Sequence, residues 1–202
     1  APALLDAAEL DASLVELLEE LGSELTAAGD FANALKLFER WLALQTDERS
    51  ADYIRLTMLT GRLYLEAAQP EKASRAFERV MRALDAPKEY RLPLSLRRAL
   101  AGDDGENYGV FALAFLAADR PEDAIRAFEK QDQVAPNKGL HGYHVALVLE
   151  HQKQPEKALR SLEVYFETGE TGAGVAPYEL LEKLLGQVGR PAELVPRLEK
   201  AL

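Results

Sequence analysis

The chain contains no cysteine. Disulfides, thiolate nucleophiles and zinc sites with sulfur ligands are therefore excluded. Aromatic residues make up only 7% of the 202 residues, and runs of β-branched side chains are scarce, so nothing reads as a strand. No apolar stretch has the length that a membrane span requires, and no membrane insertion is expected. Basic residues are in deficit, 24 against 34 acids, giving a net charge of −10. A chain this acidic offers little counterion release to a phosphate backbone, which argues against nucleic acid as a partner. The first three residues are Ala1-Pro2-Ala3, without a methionine, which reads as a processed form or an excised domain. The compartment stays open between cytoplasmic and exported (periplasmic) locations for a soluble chain.

What is present is helix-forming. Alanine, leucine, glutamate, lysine and arginine dominate, with 48% hydrophobic and 29% charged residues, the balance of a water-soluble all-α protein. The charge is uneven: residues 1–50 carry 11 acids and 3 bases, whereas residues 51–104 carry 8 acids and 10 bases. The acids Asp6, Glu9, Asp11, Glu16, Glu19, Glu20 and Glu24 read as a solvated capping face of a terminal helix rather than a steering patch.

Compared with itself, the chain repeats one phrase five times. Its copies are Gly29-Asp30-Phe31-Ala32-Asn33-Ala34, Ala68-Gln69-Pro70-Glu71-Lys72-Ala73, Asp119-Arg120-Pro121-Glu122-Asp123-Ala124, Lys153-Gln154-Pro155-Glu156-Lys157-Ala158 and Gly189-Arg190-Pro191-Ala192-Glu193-Leu194. Proline fits the first position of a helix, and acids in the first turn complement the helix dipole. Each phrase thus predicts a tight turn that ends one helix and opens the next. On both sides, small residues alternate with large ones at helical spacing. Gly22, Gly61 and Ala112 stand upstream; Ala34 with Phe38, Ala73 with Phe77 and Ala124 with Phe128 stand downstream.

This pattern resembles the tetratricopeptide repeat, whose signature runs large-x₂-Leu-Gly-x₂-Tyr, then Ala-x₃-Phe, then Pro. Leu18-x₂-Leu21-Gly22-x₂-Leu25 with Ala34-x₃-Phe38 matches it, as does Thr57-x₂-Thr60-Gly61-x₂-Tyr64 with Ala73-x₃-Phe77. A third match is Tyr108-x₂-Phe111-Ala112-x₂-Phe115 with Ala124-x₃-Phe128 and Pro136. Ala124 and Ala158 are 34 residues apart, one repeat length. The resemblance implies an α-α superhelix, a right-handed solenoid of antiparallel helix pairs forming one domain over 1–202. Repeats are expected near 15–48, 54–87, 105–138, 139–172 and 175–202. The spacing predicts a five-residue insertion near Thr46–Ser50 and a larger one over 86–104, with a short helix near Ser95–Ala101. The glycine-rich stretch Thr168–Pro177 separates the last two units. Pro196 falls inside the second helix of the fifth unit, where it would kink the helix, so that unit reads as a degenerate cap.

In the family, first helices line an inner, concave surface. Carried over, that surface comprises Arg55, Met58, Leu59, Arg62 and Leu65, then Val110, Leu113 and Leu116, then Tyr143, His144 and Leu147. Its apolar character implies a scaffold or adaptor that holds a peptide or helix of a protein partner. The competing reading of these residues is ordinary core, covered by curling of the array or by the 86–104 insertion. Two other functional classes stand beside the scaffold: a self-assembly module, as a homo-oligomer or an interaction domain of a larger polypeptide, and an accessory subunit presenting a protein to an enzyme. The lysine–asparagine clamp of chaperone-binding relatives is missing, since Glu19, Ser23, Leu59, Glu106 and Val110 occupy the corresponding places. No cofactor or catalytic role is expected. The only histidines, His141, His144 and His151, share one side of a helix, but their spacing spreads them over two turns, too far for one metal ion. They read as polar groove-lining residues. Trp41 reads as packing.

Overall fold

The computed structural model describes residues 12–201, and every regular element among them is helical. The chain forms two compact units that meet in sequence between Asp103 and Asp104. The first holds α1 (Ala12–Ala27), α2 (Phe31–Leu44), α3 (Ala51–Glu66), α4 (Pro70–Asp85) and α5 (Leu94–Ala101). The second holds α6 (Glu106–Ala117), α7 (Pro121–Val134), α8 (Lys138–His151), α9 (Pro155–Glu167), α10 (Ala176–Gln187) and α11 (Leu194–Ala201). Successive helices pair as hairpins, α1 with α2, α3 with α4, α6 with α7, and α8 with α9. Asp6, Glu9 and Asp11 of the acidic run lie outside the described residues.

The repeated phrase folds the same way each time. Gly29, Ala68, Asp119, Lys153 and Gly189 all adopt left-handed backbone angles, with φ between 52° and 75°. The next residue closes a hydrogen bond back to the last helical turn: Asp30 to the Leu25 carbonyl, Gln69 to Tyr64, Arg120 to Phe115, Gln154 to Leu149 and Arg190 to Leu185, each 2.8 or 2.9 Å. This is the Schellman closure, which satisfies carbonyls that a helix end would otherwise leave open. Pro70, Pro121 and Pro155 then open α4, α7 and α9. At α2, α3 and α8, which lack an opening proline, side chains cap instead: Asp30 accepts from the Asn33 N–H, Ser50 from Tyr53 and Asn137 from Leu140.

Within the hairpins, small residues admit rings. The Phe77 ring packs so close to Gly61 that a Cβ there would lie 2.6 Å from it, and Phe38 covers Gly22 in the same manner. Ile54, Leu56, Phe77 and Val80 are fully buried in the first unit, as is Trp41 at 1% exposure. In the second unit Tyr143, Ala146, Leu162, Tyr165, Leu181, Leu184 and Leu185 form one apolar cluster with no interruption between α8, α9 and α10.

The last repeat differs from its expected form. The phrase at Gly189 is followed by a single 3₁₀ turn, Pro191–Glu193, before α11 starts at Leu194. Pro196 therefore sits in the first turn of α11, where the missing N–H has no intrahelical acceptor, and no mid-helix kink arises. Glu182 faces solvent on α10.

Candidate functional site

In the first unit, α1 and α3 approach each other with small residues on the α1 side. Ser23, Thr26 and Ala27 recur at helical spacing there, and Thr26 returns its hydroxyl proton to the Gly22 carbonyl at 2.7 Å. Little side-chain bulk is left to fill the space opposite Leu59 and Leu63. The result is an open cavity of about 510 Å³, bordered by Phe31 and Phe38 from α2 and carrying Arg62 and Glu66 on α3. Its walls are largely apolar, and its two charged groups are both exposed.

The wall behind α3 is held firmly. The Tyr64 hydroxyl donates to Glu39 Oε1 at 2.6 Å, and Lys72 reaches the same oxygen at 3.3 Å. Burial, followed by this hydrogen bond to a carboxylate, pushes the Tyr64 hydroxyl well above the ordinary tyrosine range, so it stays a donor. Three helices, α2, α3 and α4, are thereby tied at one point.

Of the residues expected to line an inner surface, Leu59 and Arg62 stand in this cavity. Met58 is buried at 5% exposure and belongs to the core. Leu65 is half-buried, and half-buried Arg55 lies 3.4 Å from Asp52 one turn earlier on α3. In the second unit Val110 and Leu147 are half-buried and Leu113 is 50% exposed, whereas Leu116, Tyr143 and His144 are buried. Sequence reasoning did not select Phe31, Leu63, Thr26 or Ala27, and it named Ser23 only among the places of a chaperone-type clamp. The signal was the stripe of small α1 residues, which marks where an interhelical space goes unfilled.

The three histidines go separate ways. His141 Nδ1 lies 2.5 Å from Asp132 on α7, and His151 Nε2 lies 2.9 Å from Asp119 in the preceding turn. The His144 ring stacks on Phe128, with centroids 4.0 Å apart and planes 14° from parallel. Burial drops its pKa to about 4, outweighing the pull of Asp132 in the other direction, so it is neutral at pH 7. Among the described residues no group of three metal-ligating side chains converges, and no helix is long and apolar enough to cross a membrane.

Neither a protein-family model nor a curated protein sequence matches the chain. Solved structures do. The putative kinesin light chain nearly identical TPR-like repeats of Podosopora anserina superpose with a TM-score of 0.64 at 17% identity, over 96% of this chain and 95% of that one. The MamA protein superposes with a TM-score of 0.60, also at 17% identity, over 93% of this chain and 90% of that one. At such low identity the likeness speaks to architecture alone, and the architecture is that of a tetratricopeptide-like array of paired α-helices.

Proposed function

We propose that this chain is a protein-interaction scaffold, and that the α1–α3 groove of its first unit takes an extended peptide or helix from a partner. The observation that carries this reading is the groove itself. Leu59 and Leu63 form an apolar wall opposite small α1 residues, with Arg62 and Glu66 exposed beside it. An apolar trough flanked by one charge of each sign suits a segment with apolar anchors and a polar back. Helix-pair arrays bury their hydrophobic faces against one another and present an extended concave surface to ligands. The acidic balance of the chain favours protein over nucleic acid. No catalytic step is assigned to the groove.

The absence of cysteine makes the test clean. A benzophenone maleimide placed on Leu59→Cys should trap a partner protein from the source lysate. The same reagent on Arg75→Cys, an exposed position on α4 away from the cavity residues, should not. Equal trapping at both positions, or at neither, would overturn the assignment of the groove.

A further inference from the structure

The second unit holds a cavity of about 280 Å³ between α7 and α8. Ile125 and Phe128 wall it from α7, and Val145, Val148 and Leu149 from α8. A dry apolar cavity of roughly 150 Å³ is enough to take a benzene ring, so this space has room for one large side chain. Its rim is of one sign. Glu129 and Asp132 stand on α7, and no lysine or arginine lines the cavity. Asp132 already has the His141 Nδ1 at 2.5 Å, whereas Glu129 is exposed and has no ion pair among the described residues. The wall also includes the His144 imidazole, 6% exposed, whose Nδ1 is buried with no hydrogen-bond partner. A neutral imidazole carries one donor and one acceptor, and burying either unpaired is unfavourable.

These three features exclude most occupants. Anions meet two carboxylates, and water gains little from five apolar walls. The geometry points to a second docking site: the α7–α8 pocket receives a large apolar side chain of a partner segment, whose neighbouring lysine or arginine pairs with Glu129 and Asp132. The apolar side chain fills the space and the cation answers the rim. The site rests on the reading of the chain as a protein-binding array, but it shares no residue with the α1–α3 groove.

The test is a backbone amide NMR titration of the whole ¹⁵N-labelled chain with three short amidated peptides: Lys-Leu-Phe-Lys, Lys-Ala-Ala-Lys and Glu-Leu-Phe-Glu. The first is expected to shift the amides of Phe128, His144, Val145 and Val148. The other two should bind at least tenfold more weakly there. Glu129→Lys, a substitution on an exposed helix face, should weaken Lys-Leu-Phe-Lys at least tenfold while leaving the amides of Leu184 and Leu185 unmoved. Equal binding of Lys-Ala-Ala-Lys would reduce the effect to general attraction by an acidic chain, and equal binding of Glu-Leu-Phe-Glu would remove the role of the rim. Either result overturns the proposal, as does unchanged binding to the Glu129→Lys chain or an absence of shifts. Amides of Leu59 and Arg62 in the same spectra report the α1–α3 groove separately, so failure at one site is distinguishable from failure at the other.

Discussion

At the scale of the residue, glycine has opposite effects in two helices of the same chain. Gly61 on α3 is buried beneath Phe77, and a Cβ would come within 2.6 Å of the ring. Gly186 on α10 is exposed, and a Cβ would meet nothing within 4 Å. Alanine is the better helix former by about 1 kcal/mol, and at Gly186 nothing opposes that gain. At Gly61 the ring must move or tilt, and overpacking of this kind costs typically 1–3 kcal/mol. Gly186→Ala should therefore raise the urea midpoint, and Gly61→Ala should lower it. A rise in both would mean that Phe77 yields without cost. The small-residue positions were readable in the sequence as part of the repeat signature, because close helix approach leaves a mark in residue size. The burial of Met58, Tyr143 and His144 was not readable. Helical periodicity places a residue on a face, but which part of the face a neighbouring helix covers depends on packing angles that it does not encode.

At the scale of the element, the five hairpin turns share one backbone geometry but not one residue type. Glycine occupies the left-handed position in two of them; alanine, aspartate and lysine occupy the others. An L-residue in that conformation carries a penalty of roughly 1–2 kcal/mol. Glycine removes the penalty but adds freedom to the unfolded chain, returning about 0.4–1 kcal/mol of the gain. Lys153→Gly should thus stabilise the second unit by a net ~0.5–1 kcal/mol. Gly29→Val should destabilise the first, since a branched side chain at φ 75° is doubly disfavoured. Thermal unfolding of both variants checks the pair, and a destabilised Lys153→Gly would show that its side chain contributes more than its backbone costs. These turns were visible in the sequence because proline and the adjoining acids recur there. The irregular last pair was harder to place. Pro196 appears mid-helix when counted from the Gly189 turn, and only the intervening 3₁₀ segment moves it into a first turn.

At the scale of the whole molecule, one buried base should dominate the response to mild acid. In the folded chain His144 takes up its proton only near pH 4, whereas in the unfolded chain it does so near its ordinary value of 6.5. Between those values the unfolded state binds more protons, so stability falls as pH falls and is fully present above 6.5. The groups facing the ring set the size of the effect. Burial against Phe128 lowers the pKa most, Asp132 on α7 raises it, and His141 on its own helix lowers it further. The loss amounts to roughly 2 kcal/mol by pH 5 and about 3 kcal/mol once both states are protonated. Carboxylates act in a separate, lower window. Burial pushes Asp123 up, but hydrogen bonds from Arg126 and Arg120 outweigh it; burial likewise pushes Glu150 up, and Lys183 and Gln187 outweigh it. Both stay below their ordinary values of 3.8 and 4.5, so their contribution is intact at pH 5 and is lost only as the pH falls further. Urea titrations at pH 7 and pH 5 should therefore show a drop in midpoint for the native chain that is largely absent in His144→Phe, which keeps a flat ring against Phe128 and removes the titrating group. An equal drop in both proteins would place the acid sensitivity elsewhere and would mean that His144 is solvated well enough to ionise in its folded site.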